Sequence, residues 1–408
     1  MTADAVDPNE RWAELVLVDR AGVLIGKLPA VRAGTPWWPE VESIVRTVRE
    51  HFGIDATILR LLHADRKGMR GGRVTYLAEV DGPVDCMPTD VVLDEQPLRA
   101  RYARVGGPAA DLDWARSLLA AEGLSLAAPP VQVKTWNLSS LWRLPLERGG
   151  EAWLKAVPNF FAHEGALIDA LGSSAPVPRL YGYESGRVVM RYIPGADLWE
   201  ATHAQRIAML DALVELQNAW VPKVDTLIRL GVADWRASAL RPAIENAFDR
   251  TRHELALDEA KAIDRFVEGL DARFRTLDAC GIPDSLVHGD YWPGNVRGDG
   301  LDLTILDWGD SGVGHPLLDG PAFMERAPPE MAAGLRERWL ANWRTAYPGS
   351  EPARAWDTIA PIAAARRAVV YLGFLDRIEP AEHPYHRDDP RDCLQQVATL
   401  LAAESRRR

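Results

Sequence analysis

The chain reads as an α+β protein, with a first half built mainly of strands and a second half built mainly of helices. Three observations carry that expectation. Short runs of alternating apolar and polar residues recur between Trp12 and Met190, each bounded by Gly, Pro or Asp turns. Long helical periodicities then run through Ala204–Leu230, Pro242–Cys280, Glu330–Tyr347 and Arg354–Arg377. Between these helical blocks, residues 286–310, LVHGDYWPGNVRGDGLDLTILDWGD, follow neither rhythm and read as strand, loop, hairpin and loop.

Taken in order, Trp12–Val18 and Val23–Gly26 form two strands around the Asp19-Arg20-Ala21-Gly22 turn. Glu40–Phe52 has helical spacing and ends at Gly53, the residue type suited to a left-handed cap. Ala56–His63 and Arg73–Val80 are strands separated by a loop containing Gly71-Gly72. This order of strands around WWPEVESIVRTVREHFGI resembles the Nudix fold over roughly the first ninety residues. Arg46, Glu50 and Gly53 match that pattern, but Trp38, Thr47 and His51 stand where acidic residues would be needed. One Glu50 supplies too few hard oxygen ligands for a metal-diphosphate site, so residues 1–90 are expected to be a Nudix-like domain without hydrolase activity. Residues 91–109, rich in Pro, Gly and charge, read as a linker.

A helix over Ala110–Glu122, with Trp114, Leu118 and Leu119 on one stripe, opens the next domain, expected to run over 110–193. The strands VQVKTWNLSSLWRLPL and EAWLKAVP follow. Lys155, one of only six lysines, lies mid-strand between Leu154 and Ala156. Glu164 shares the inward stripe of Phe160, Leu167, Ile168 and Leu171. An inward lysine needs an anion and an inward glutamate needs a cation, and pairing them answers both needs. RVVMRYIPGADLW reads as a last strand that runs into a turn at Arg191, Tyr192 and Ile193, after which residues 194–408 are mainly helical.

Within residues 286–310 the polar residues stand where the patterning wants apolar ones. Leu301, Leu303 and Ile305 alternate as one strand face, and Asp307 is next on it. Gly298-Asp299-Gly300 supplies a turn that brings Asn295 and Asp307 to one end of a hairpin. An amide oxygen and a carboxylate suit Mg²⁺, which takes its remaining ligands from water and phosphate. Asp290 lies on the same loop, outside that pair, and is free to accept a proton from a hydroxyl.

Asp290-x4-Asn295 followed by Asp307-Trp308-Gly309 resembles the catalytic loop and metal-binding triplet of the protein-kinase-like fold. The His288-Gly289-Asp290 form is similar to the aminoglycoside phosphotransferase and choline kinase branch. The resemblance covers about residues 110–380 and implies a bilobal fold, with a small β-rich lobe and a large helical one, that binds ATP and Mg²⁺. It implies Asp290 as catalytic base, Asn295 and Asp307 as metal ligands, and Lys155, positioned by Glu164, on the nucleotide phosphates. It also implies an adenine contact from the backbone at Arg191–Ile193, in the cleft between the lobes. Asp319 would support the catalytic loop, and His315 would be structural. Thr135–Ser140 stands where a nucleotide-covering loop would be but lacks its glycines. Backbone N–H groups and the Ser139 and Ser140 hydroxyls could still contact phosphates there, though the stretch reads equally well as a simple β-hairpin, and GTP stays open beside ATP. Asp197, Glu200, Asp376, Glu379 and Glu382 fall on segments that flank the acceptor pocket in this family, though they read equally well as solvated charges. No Ala-Pro-Glu marker of a protein-substrate kinase is present.

Composition narrows the partners. The chain has 408 residues, 47% hydrophobic and 26% charged, in the range of ordinary globular proteins. Its net charge of −11 argues against nucleic acid and mildly favours a cationic acceptor. Cys86, Cys280 and Cys393 are scattered and odd in number, so reduced core thiols are expected, with neither a disulfide framework nor a zinc site. Met1–Glu10 is acidic, unlike a signal sequence, and no uninterrupted apolar stretch spans a bilayer. The expected location is cytoplasmic, without a membrane partner. The function expected is phosphoryl transfer from ATP to a hydroxyl of a small molecule. The alternatives are a non-catalytic nucleotide-binding protein and a diphosphate hydrolase acting through the first domain.

Overall fold

The computed structural model describes residues 9–407; most of the acidic Met1–Glu10 stretch lies outside them. By its internal contacts the chain divides into two compact units. One comprises the described residues through Gly165 with Arg179–Tyr192 and Phe374–Asp388; the other comprises Ala166–Pro178, Ile193–Gly373 and the described residues from Asp389 onward.

The first unit opens with a four-stranded sheet. Strands β1 (Arg11–Val18), β2 (Leu24–Arg32), β3 (Ala56–Ala64) and β4 (Gly72–Val80) lie in the order β2-β1-β4-β3. β1 and β4 are parallel, and the other pairs antiparallel. The second strand runs past the expected Gly26 because Pro29 falls at a register shift on an edge strand, where its missing N–H costs no ladder bond. Helix α1 (Glu42–Phe52) buries Ile44 and Val48 and ends at Gly53 with φ 66°, as its sequence predicts. Together with Trp38, Tyr76 and Tyr385 these residues form one core cluster.

The same unit carries helix α2 (Gly107–Ala121) and a second sheet. Strands β5 (Val131–Trp136), β6 (Ser139–Pro145), β7 (Glu151–Ala156), β8 (Leu180–Glu184) and β9 (Arg187–Arg191) are all antiparallel, in the order β5-β6-β7-β9-β8. Leu112, Ala115 and Leu119 of α2 pack with Trp142, Leu144, Leu154 and Val189. The sheets are stitched together through Gln132, whose side-chain amide both accepts from Ile58 N at 2.9 Å and donates to Ile58 O at 2.7 Å. Val41 N donates to Val133 O at 3.0 Å beside that clasp. The stretch read as a linker is irregular in structure, yet Tyr102 just before α2 is buried.

Two glutamates of Phe374–Asp388 differ from the reading as solvated charges. Glu379 is buried and accepts from the Arg99 guanidinium at 2.9 Å, with Arg60 Nε 3.6 Å away. Glu382 is buried too; burial first, and the nearby Glu379 charge second, push its carboxyl up to about 8. Glu379 is therefore an interior structural charge, and Glu382 an interior carboxyl that keeps its proton at neutral pH.

The second unit is largely helical. After α3 (Glu164–Leu171), which begins at the close of the first unit's long segment, come β10 (Ala196–Asp197), α4 (His203–Trp220), α5 (Val224–Arg229), β11 (Ala233–Asp234), α6 (Ala237–Thr251), α7 (Leu257–Glu268) and α8 (Leu270–Ala279). Then follow β12 (Ser285–Val287), β13 (Val296–Asp299), β14 (Asp302–Ile305), β15 (Gly312–Gly314), α9 (Gly320–Glu325), α10 (Pro329–Ala346), α11 (Pro352–Leu375) and α12 (Asp389–Arg407). The short strands make two small sheets, β10-β13-β14 and β11-β15-β12. Trp339 and Trp343 are fully buried, as their helical spacing predicts.

No uninterrupted apolar run in α11 spans a bilayer, yet the helix as a whole is long and apolar enough to cross a membrane by length and composition. It reaches that length only by carrying Arg366 and Arg367 within it, and it buries Ala355, Ile359, Ile362 and Ala365. Such burial is that of a core helix. The three cysteines are unpaired, Cys280 and Cys393 buried and Cys86 half-buried.

Candidate active site

Strand β12 buries Leu286 and Val287 and delivers His288, Gly289 and Asp290 to its carboxyl end. His288 is fully buried. Its Nε2 lies 2.8 Å from Leu306 O and its Nδ1 accepts from Asp290 N at 3.3 Å, which assigns the proton to Nε2. Gly289 has φ 93°, and a Cβ there would meet Asp310 O at 2.1 Å, so the position demands glycine and excludes the arginine of protein kinases. Asp319 is buried and accepts from three donors: His288 N at 2.9 Å, Gly289 N at 2.8 Å and Gln217 Nε2 at 3.0 Å. Burial pushes its carboxyl up, while the two backbone donors and the Arg366 charge pull it down. The loop is thus held from behind, and the Asp290 side chain is left 43% exposed at its front.

Asn295 follows the single turn Pro293–Asn295 and donates Nδ2 to Asp290 Oδ2 at 2.9 Å and to Asp290 O at 2.8 Å. With the amide nitrogen so engaged, its Oδ1 remains as a ligand atom. The β13–β14 hairpin pairs Val296 with Ile305, and Leu306 N donates to Asn295 O at 2.8 Å, which puts Leu306 opposite Asn295 and Asp307 one residue beyond it, at the same end of the hairpin. Asp307 itself departs from the strand-face reading. It is exposed and adopts φ 63°, the one left-handed non-glycine among the described residues, which turns it off the apolar face of Leu303 and Ile305. Holding an aspartate there costs about 1 kcal/mol or more, and such outliers cluster at functional sites. No group of three or more His, Cys, Asp or Glu side chains gathers as a metal site among the described residues. An amide oxygen plus one exposed carboxylate fits Mg²⁺ completed by phosphate and water better than it fits a closed protein cage.

In the first unit, Lys155 sits on β7, an interior strand, and its Nζ donates to Glu164 Oε1 at 2.7 Å. Their side chains are 14% and 3% exposed, so this is a buried ion pair at the start of α3. The other expected nucleotide contacts already have partners within the protein. Ser139 Oγ accepts from Trp136 Nε1 and Ser140 Oγ from Trp142 Nε1, both at 3.0 Å. Between β5 and β6 only Asn137 and Leu138 form the turn, and both are buried. Arg191 N donates to Arg179 O at 2.7 Å. The Ile193 carbonyl, in the second unit, accepts from Arg297 Nε at 2.9 Å.

Several residues around Asp290 were not found from sequence. Buried Arg366 of α11 donates to the Gly289 carbonyl. Trp292 Nε1 donates to Asp290 Oδ2 at 3.3 Å, and Arg326 Nη1 lies 4.0 Å from Asp290 Oδ1. Trp292 stands in the quoted motif and could have been flagged as an aromatic two residues from the base. Arg326 and Arg366 carry no local signal, since only the fold brings them there. A cavity of about 430 Å³ lined by Trp235, Asp284 and His315 is separate from this loop, because Asp284 and His315 flank the Ser285–Gly314 end of the β12–β15 pair. On α1, Glu50 is exposed, with Arg46 4.0 Å away, and Glu42 accepts from Arg143 at 2.9 Å.

Solved phosphotransferases share this arrangement of a β-rich amino-terminal region and a helical carboxy-terminal one, the protein-kinase-like phosphotransferase fold. A macrolide 2'-phosphotransferase type I matches with a TM-score of 0.50 and 16% identity, over 71% of this chain and 97% of its own. A GDP complex of a variant of aminoglycoside 2'-phosphotransferase-IIIa gives 0.50 and 14%, over 72% and 98%. The apoenzyme of a macrolide 2'-phosphotransferase from Brachybacterium faecium gives 0.48 and 18%, over 67% and 98%. No curated protein sequence matches the chain. Residues 131–356 match the model of the phosphotransferase enzyme family, APH, more than half of the chain and with it Lys155, Glu164 and the whole loop from His288 to Asp319, so the chain belongs to that family.

Proposed function

We propose that the chain transfers the terminal phosphoryl group of ATP, with GTP as the other candidate donor, to a hydroxyl of a small molecule in a Mg²⁺-dependent reaction. The observation that carries this reading is the catalytic loop itself. An exposed Asp290 is fixed by Asn295, while the buried Asp319 holds the backbone behind it. In this reading Asp290 orients the acceptor hydroxyl and takes its proton as the oxygen attacks phosphorus. Asn295 Oδ1 and the Asp307 carboxylate hold Mg²⁺, which when bound neutralises phosphate charge. Lys155, kept in place by Glu164, serves the nucleotide phosphates. Ser139, Ser140, Arg191 and Ile193 are weaker candidates for the nucleotide, since each already has an internal partner. The GDP complex among the similar folds supports nucleotide use. A net charge of −11 favours a cationic acceptor only in bulk, because the charge nearest Asp290 is the positive Arg326.

The test is incubation with ATP, Mg²⁺ and a panel of hydroxylated metabolites, comparing wild type with Asp290→Ala. Loss of general-base catalysis should slow transfer by about 10²- to 10⁴-fold. Nucleotide binding, followed by calorimetry, should persist in the variant. Equal turnover by both proteins would remove Asp290 from its role. Diphosphate hydrolysis lost only on Glu50→Ala would move the chemistry to the first ninety residues.

A further inference from the structure

Beside Asp290 stands a group of side chains that phosphoryl transfer, as derived above, does not require. Trp292 hands its indole N–H to the base. Trp199 meets Trp292 edge to face, with ring centroids 4.6 Å apart and planes at 75°. Trp199 is 57% exposed, an unusual position for so large an apolar surface. The Arg326 guanidinium lies 4.2 Å over the Trp292 ring. Its side chain is 44% exposed and makes no hydrogen bond among the described residues, its one ion pair being the 4.0 Å approach to Asp290.

Each of these facts points toward a ligand. Stacking on Trp292 fixes the guanidinium plane. A fixed guanidinium presents five donors in a fork whose geometry matches a carboxylate or phosphate. Here that fork is uncommitted and adjacent to the base. The exposed indole of Trp199 offers a face on which the body of a polyhydroxylated molecule can lie. An ammonium brought to the same place would meet Arg326 as a like charge and find its natural partner, Asp290, already shared with it.

We propose that Trp199, Trp292 and Arg326 form the acceptor subsite, and that it takes a hydroxylated anion with its carboxylate or phosphate on Arg326 and its hydroxyl toward Asp290. This rests on the transfer reading for the role of Asp290, and it names the acceptor's chemical class. Arg326 acts by binding and positioning. The aromatic pair supplies the platform.

The experiment reads indole ¹⁵N–¹H resonances of the full chain, with Trp199 and Trp292 assigned through Trp199→Phe and Trp292→Phe. The probes are gluconate, glucose 6-phosphate, glucose and glucosamine. At least one of the two anions should move both resonances saturably, and which one does so separates a carboxylate from a phosphate. Glucosamine should bind no better than glucose. Arg326→Ala should weaken the anion at least tenfold and Arg326→Lys by less, with unchanged thermal unfolding in both. Glucosamine binding most tightly, anion binding indifferent to Arg326→Ala, or no response to either anion would each overturn the proposal. Asp290→Asn should leave these shifts in place, so a failure of the transfer reading would show only as the absence of Asp290-dependent turnover.

Discussion

The charges of the catalytic loop and those of the Arg60–Arg99–Glu379–Glu382 group are handled in opposite ways. In the buried group, Glu379 is enclosed by two guanidiniums and Glu382 is kept from water altogether. Around the loop, Asp290 and Arg326 are both more than 40% exposed and approach only to 4.0 Å. A buried charge must be matched at once or neutralised, so its partners are permanent and its work is structural. An exposed charge backed by a rigid frame keeps its bonding capacity for something that arrives. Lys155 and Glu164 lie between these cases, buried enough to need each other and yet proposed above to serve a nucleotide.

The sharpest way to break this contrast is to remove Glu379. Glu379→Ala would leave Arg60 and Arg99 buried without their carboxylate, and breaking a buried pair from one side typically costs 3–5 kcal/mol. Denaturant unfolding should show a loss of about that size, while phosphoryl transfer per folded molecule stays near wild type. A variant of normal stability and lost turnover would make Glu379 part of the site. Lys155→Ala should come next, at about 3 kcal/mol or somewhat less, because its side chain retains 14% exposure. Unlike Glu379→Ala, it should also weaken nucleotide binding, read by calorimetry. Unchanged nucleotide affinity would reduce Lys155–Glu164 to a structural pair.

How far the sequence disclosed these features depended on how local their causes are. Alternation marked β1, β3, β4 and β7 to within a residue or two, because facing inward or outward is decided residue by residue along a strand. Gly53 and the Asn295–Asp307 hairpin were legible for the same reason, since cap and turn chemistry is written in the turn itself. Glu379 and Glu382 were not, because Arg60 and Arg99 lie some 300 positions away and nothing near a glutamate announces that it will be enclosed. Asp307 was read on the correct hairpin but the wrong face, since an alternating pattern does not foresee a left-handed turn at its end. Arg326 reaches Trp292 only through the fold. The described residues through Gly165 fall in one compact unit, although their composition suggested a linker over 91–109; buried Tyr102 and the side-chain clasp of Gln132 on Ile58 have no signature in composition.

The pH dependence of stability sharpens the comparison further. In the folded protein the Glu382 carboxyl is raised to about 8 from an ordinary value near 4.5, so between those limits the folded state holds a proton that the unfolded state has lost. Stability from this group is fully present below the unfolded value and drains away as pH rises through the folded one. Wild type should therefore unfold at lower denaturant at pH 8 than at pH 5.5. Glu382→Gln, which keeps the neutral shape, should flatten that slope. A slope unchanged by the substitution would place its cause elsewhere.

The smallest effect should come from Glu50, an exposed glutamate on α1 whose only close cation among the described residues is Arg46 at 4.0 Å. Surface pairs of this kind contribute about 0–1 kcal/mol, and i,i+4 helix pairs about 0.3–0.5 kcal/mol. Glu50→Ala should change unfolding free energy by less than about 0.5 kcal/mol and leave both nucleotide binding and phosphoryl transfer at wild-type levels. The contrast with Asp290 is then direct. Both carboxylates are accessible, but Asp290 is framed by Asn295, Trp292 and Arg326, whereas Glu50 has a single distant arginine and no neighbouring oxygen ligand set. A tenfold fall in transfer on Glu50→Ala would mean that exposure alone, without that frame, had been enough to make a working group, and the distinction drawn between the two regions would fail.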